Sequence, residues 1–169
     1  VLLPTDLKVI FPNKSAKYYV KKLDKYFNYL ENSLEVENDI CVIQSDVVSG
    51  KWIMQDQDIY YSSWFATPNV VVDQSSMLQL GWDYASSKNR KFIFDDVYYV
   101  ALNERTYRDG LKRKIGLQVP DNSYTEFLEK AAIKVIPNAE PLGYVLNFYL
   151  AENFKIYDPV VFGDVDEHL

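Results

Sequence analysis

The sequence predicts a single α+β domain, and three observations carry that expectation. Residues 15–34 place apolar side chains at helical spacing, whereas residues 40–119 break into short β-branched and aromatic runs separated by turn residues. No Pro/Gly/Ser-rich linker and no internal repeat divides the 169 residues, a length sufficient for one core. The predicted architecture is a mainly antiparallel sheet of about six to eight strands over residues 40–119 and 142–150. An N-terminal amphipathic helix over 15–34 and a shorter helix over 123–135 complete it.

The first helix rests on Ala16, Tyr19, Val20, Leu23, Phe27, Leu30 and Leu34, which line up as one stripe. Pro12, Asn13 and Ser15 supply its start. Its charges oppose the helix dipole, with Lys14, Lys17, Lys21, Lys22 and Lys25 early and Glu31, Glu35 and Glu37 late. At about 100° per residue, Lys14, Lys17, Lys21 and Lys25 project from nearly one side and form a candidate partner-binding face.

Strands follow over 40–48, 51–55, 59–66, 70–72, 77–84, 91–94 and 97–102. Ser49-Gly50 and Pro68-Asn69 mark turns between them. The polar stretch 103–114 centres on Asp109-Gly110, a hairpin signal, and Ile115, Leu117 and Val119 alternate as its returning strand. Ser123 with Glu126 forms a capping-box pattern for the second helix, which Pro137 ends. Residues 142–150 read as a last strand, and an acidic tail from about 152 runs extended.

The formal charge of −6 is unevenly spread. Residues 1–114 hold 15 basic and 15 acidic side chains, and residues 115–169 hold 3 and 9. All four arginines, Arg90, Arg105, Arg108 and Arg113, lie in one segment. Arg105, Arg108, Lys112, Arg113 and Lys114 therefore make a basic hairpin tip, a second candidate surface for an acidic partner.

The chemistry open to the chain is narrow. One cysteine, Cys41, permits neither an internal disulfide nor a cysteine zinc site, and the one histidine, His168, is the second-last residue. No glycine-rich phosphate motif occurs, so no nucleotide cofactor is indicated, and no metal site is expected. The carboxylates Asp56 with Asp58, Asp95 with Asp96, and Asp164 with Asp166 and Glu167 are the pairs that a carboxylate-dependent hydrolase would draw on. No apolar run is long enough to span a membrane. Residues 1–12 do not read as an intact signal peptide, and localisation stays open between a virion, the cytoplasm and a secreted origin. The acidic pI of 4.8 argues against nucleic acid, apart from a local phosphate contact at the 105–114 hairpin.

Fourteen Tyr and three Trp favour contact surfaces as well as sheet interiors. The function expected is non-catalytic: a structural or assembly protein, such as a viral or phage particle component, acting on other subunits as a homo- or hetero-oligomer. The alternative is a carbohydrate-binding or adhesion module in which Trp52, Trp64 and Trp82 stack on sugars. A carboxylate hydrolase is third.

Overall fold

A computed structural model describes residues 3–13, 16–106, 110–136, 143–148 and 151–162. Where the spacing predicts a helix over 15–34, the chain instead forms a hairpin of β1 (Tyr18–Val20) and β2 (Lys25–Leu30). The reason is local. Tyr18, Tyr19, Val20, Tyr26, Phe27 and Tyr29 are strand-forming residues, and Asp24 takes a positive φ of 55° between them. Val20 and Phe27 are buried as the helical stripe requires, yet Tyr19, Leu30 and Leu34 are exposed.

The chain divides into two compact units, Val1–Gln57 and Asp58–Leu169. In the first, β3 (Val42–Gln44) and β4 (Lys51–Met54) join the hairpin in an antiparallel sheet of order β1-β2-β4-β3. A 3-10 turn, Pro4–Val9, buries Leu7. Trp52 is fully buried, with the rings of Tyr18 and Tyr29 at 4.7 and 5.3 Å. Gly50 has φ 136°, and a Cβ there would lie 2.5 Å from the Tyr29 hydroxyl, so the 49–50 turn demands glycine.

The second unit overturns the single antiparallel sheet. Its strands are β5 (Ile59–Tyr61), β6 (Lys91–Phe94), β7 (Val97–Val100), β8 (Asn103–Thr106) and β9 (Lys112–Gln118). There follow β10 (Tyr124–Phe127), β11 (Ala132–Val135), β12 (Tyr144–Asn147), β13 (Lys155–Tyr157) and β14 (Val161–Phe162). They build three sheets, ordered β13-β10-β6-β5, β14-β11-β7 and β12-β9-β8. Among the described residues every pairing in this unit is parallel except the β8–β9 hairpin.

Ile59, Lys91, Tyr124 and Lys155 stand in register, at separations of 32, 33 and 31 residues. Ile115 and Tyr144 pair at a separation of 29. Each coil visits the three sheets in the same order, β6-β7-β9, then β10-β11-β12, then β13-β14. Unit 2 is therefore a three-sided β-solenoid, in which a coil of about thirty residues closes and the next stacks on it.

The expected helix over 123–135 is β10, a turn and β11. Thr125 and Phe127 alternate inward against a solenoid interior that a helix would not fill. Phe127 stacks on its register partner Phe94 at 4.5 Å and 22°, an aromatic pair contributing about 0.5–1.5 kcal/mol beyond its burial. The acidic stretch after 152, expected to run extended over the surface, pairs as β13 and β14 as far as residue 162.

The α-helix among the described residues is α1 (Ser75–Ser87), in place of the strand predicted over 77–84. Leu78, Trp82 and Ala85 give it a fully buried stripe at helical spacing. It takes the position of a strand in the first coil. The Gln79 side chain accepts from the Gln118 N–H and donates to the Gln118 carbonyl, both at 2.8 Å, as a neighbouring strand would. In the next coil Asn147 donates to Gln118 Oε1 at 2.6 Å, continuing the row.

Asp73 secures the helix start. It accepts from the N–H groups of Ser75 (3.0 Å) and Ala101 (2.9 Å) and from the Asn103 amide (3.0 Å). Burial pushes its pKa up, but these hydrogen bonds together outweigh that and hold it below the ordinary carboxylate value. A carboxyl depressed in the folded state stabilises fully above its unfolded pKa and loses that contribution as pH falls. The unfolding midpoint in urea is expected to drop between about pH 5 and pH 3. Asp73→Asn should flatten that drop; an unchanged acid limb would count against the role.

Candidate functional site

The predicted basic faces do not assemble as the sequence places them. Lys14 lies outside the described residues. Lys17 and Lys21 are exposed before and after β1, and Lys25 opens β2 part-buried. The helical side that grouped them is absent, because they span a hairpin. The second basic group does lie on a hairpin, β8–β9, with Arg105 opposite Arg113 and Glu104 opposite Lys114. Arg108 and the Arg105 side chain lie outside what is described. Lys112 pairs with Glu104 at 2.8 Å, and that contact, first by hydrogen bonding and then by charge, lowers the Glu104 pKa and raises that of Lys112.

The three tryptophans separate. Trp52 and Trp82 are fully buried and present no ring to a sugar, while Trp64 is part-buried, with Tyr60 and Tyr61 at 5.7 and 5.5 Å. Asp95 is held at the corner between β6 and β7. It accepts from the hydroxyls of Ser62 (2.6 Å), Tyr98 (2.8 Å) and Ser63, and from the Ser63 N–H (3.2 Å). Burial raises the Tyr98 pKa most, with the adjacent Asp95 adding to it. Asp96 accepts from the Asn69 amide at 3.0 Å. Both carboxylates thus fasten the turn. Cys41 is buried, and burial pushes its thiol pKa up, so the nucleophilic thiolate is disfavoured.

Among the described residues, no group of three or more metal-ligating side chains is present, and no helix is long and apolar enough to cross a membrane. Shallow grooves open on the surface of the described residues, two of which bear on the site. One, of about 380 Å³ in unit 1, is lined by Phe11, Tyr29 and Asn32. The other, of about 440 Å³ in unit 2, lies beside α1 and β8 and is lined by Gln79, Asp83, Asn103 and Glu104.

The solenoid gathers residues that the sequence leaves scattered. On the sheet β13-β10-β6-β5, Tyr60, Phe92, Thr125 and Phe127 are buried, so their alternates lie on the opposite face in two register rows, in which Ile93 is also buried, at 5% exposure. One row is Ile59, Lys91, Tyr124, Lys155; the other is Tyr61, Ile93, Glu126, Tyr157. Tyr124 and Tyr157 stand edge to face at 5.6 Å and 81°. Lys91 lies 5.1 Å from the Tyr124 ring centroid and pairs with Glu126, whose hydrogen bond raises the lysine pKa. The available signal was the recurrence of Lys91–Phe94, Tyr124–Phe127 and Lys155–Tyr157, each followed after a few residues by a second short apolar run.

A second feature belongs to the end of unit 2. β12, β13 and β14 are the terminal strands of the three sheets, and among the described residues nothing pairs with their outer edges. Tyr144, Phe148, Tyr157, Val160 and Val161 are exposed in this last part of the solenoid. No protein-family model matches the chain, and no curated protein matches its sequence.

Proposed function

We propose that the protein is a non-catalytic structural component working through protein–protein contacts, with the final edges of the unit 2 solenoid as its docking surface. The observation that supports this is the unequal finish of the two solenoid ends. On the first coil, the N–H groups of Asn69 and Gln74 bond to the carbonyls of Val97 and Tyr99 along β7, and α1 closes on Gln118. Antiparallel β8 borders β9. The last coil carries no such cover among the described residues.

An uncovered strand edge is a row of hydrogen-bonding groups ready to take another strand. Lys155 donates its N–H to Ser123, toward β10, so the N–H of Ile156 points to the open side. At the first end β5 leaves one edge open among the described residues, but residues 69–74 occupy β7, and α1 and β8 occupy β9, so whole coils do not stack head to tail there. Pairing of two last coils is a closed, two-fold contact. A viral or phage particle, built from repeated subunit contacts, is the most concrete setting for such a module.

Size-exclusion chromatography with light scattering, over a wide range of concentration and salt, tests this. The chain is expected to shift from monomer toward dimer as concentration rises. High salt should not reverse the shift, since backbone pairing and apolar contact are not screened as surface charges are. Ile156→Pro removes the outward donor and Val161→Lys charges the edge. Each variant should stay monomeric with an unchanged circular dichroism spectrum. A wild-type chain that is monomeric at every concentration and salt would sink the proposal.

A further inference from the structure

We infer that Lys17 and Lys21 guard the free edge of β1 against the addition of a second copy of this chain. This device belongs to unit 1 and is independent of the last-coil contact. The sheet β1-β2-β4-β3 has two outer strands, and they are finished differently. Along β3, the N–H groups of Asn38 and Asp39 both bond to the Val42 carbonyl, at 2.9 and 3.1 Å, and the Gln44 N–H bonds to Glu37 Oε1 at 3.2 Å. Nothing among the described residues pairs with the outer edge of β1. An edge left in that state is a template for another strand.

The side chains beside it raise the hazard. Tyr19 and Tyr26 are 40% and 48% exposed and stand opposite each other with ring centroids 5.2 Å apart, so an added strand would extend an aromatic face. β1 is three residues long, Lys17 directly precedes it, and Lys21 and Lys22 directly follow it. All three lysines are exposed, and no carboxylate among the described residues pairs with any of them. The neighbouring Asp24 accepts from the Tyr19 hydroxyl instead, at 2.5 Å.

Register turns this placement into a barrier. Lys17 and Lys21 lie two residues to either side of Tyr19, the middle of β1. In an antiparallel pair centred on Tyr19, Lys17 of each copy stands directly opposite Lys21 of the other. In a parallel pair in register, each lysine stands opposite its own counterpart. Like charges directly opposite one another destabilise a strand pair, and lysines at a very short edge strand are a device that natural sheets use against such pairing. The four-residue spacing that lines these lysines up on a helix is, on a strand, a symmetric bracket around an open edge.

Lys21→Glu tests the guard, made in the Ile156→Pro chain so that the last-coil contact does not contribute. The introduced carboxylate faces Lys17 of the other copy at both ends of the antiparallel pair, which turns two repulsions into two ion pairs. Sedimentation velocity at low salt is expected to show a mass doubled relative to the parent, and high salt should reverse it because the pairs are exposed. Lys17→Glu combined with Lys21→Glu restores like charges and is expected to stay monomeric. Both changes carry the formal charge further from zero than −6, so net charge alone would favour the monomer in each. Both side chains are exposed, so the circular dichroism spectrum should be unchanged. A Lys21→Glu chain with the same mass as its parent, or a double variant that associates as strongly as the single one, would overturn the inference.

Discussion

Trp82→Ala is expected to destabilise unit 2 by about 3–5 kcal/mol, the range for removing a buried large aromatic. Trp82 is fully buried in α1, lies 6.2 Å from Phe92 with the rings stacked, and meets Phe94 edge-on at 5.3 Å. Its indole N–H donates to Thr125 Oγ1 at 2.7 Å, so this one side chain ties the helix to two successive coils. Alanine would open a cavity among the rings and strand a buried hydroxyl. Trp82→Phe keeps much of the ring and isolates the lost hydrogen bond, with an expected cost of about 1–3 kcal/mol. Urea unfolding followed by circular dichroism measures both. A second consequence is structural: α1 covers one end of the solenoid, so its loosening should expose strand edges and promote aggregation. A loss below about 1 kcal/mol for Trp82→Ala would show that the helix is not fastened this way.

In unit 1 the corresponding weak point is Asn38, whose expected cost on substitution by alanine is about 2–4 kcal/mol. Its buried Oδ1 accepts from three backbone N–H groups, those of Ile40 (3.2 Å), Cys41 (2.7 Å) and Val42 (2.9 Å). Each buried donor left unpaired costs about 1–3 kcal/mol, less what solvent recovers as the turn relaxes. Asn38→Asp preserves the acceptor oxygen, and a carboxylate is well stabilised by converging N–H groups. It should therefore retain most of the stability that alanine loses. Equal losses for the two variants, by the same denaturation measurement, would rule out the acceptor as the cause.

Much of the strand content was legible. Alternation and turn residues placed strands over 40–48, 51–55, 91–94, 97–102 and 142–150, where β3, β4, β6, β7 and β12 lie, and β8 and β9 form the antiparallel pair expected around the 103–114 stretch. The first helix was misread because Val20, Leu23 and Phe27 satisfy both periodicities: they are buried in the hairpin and would also be buried on a helical stripe. The opposing lysines and the dense tyrosines were the contrary signals. The helix over 75–87 escaped notice because Leu78, Trp82 and Ala85 are short of neighbours that declare a period, and its start is held by Asp73 and the distant Asn103.

What the sequence determined by itself was the local grammar: where apolar alternation runs, where turns fall, and how few groups are available for catalysis. Which strands pair was decided only in the tertiary structure. Parallel neighbours such as Lys91 and Tyr124 are 33 residues apart, and their pairing uses backbone groups that are the same for nearly every residue. Coil length is therefore repeated while side-chain identity is not. For the same reason the Tyr124, Lys155 and Tyr157 surface exists only once the coils have stacked.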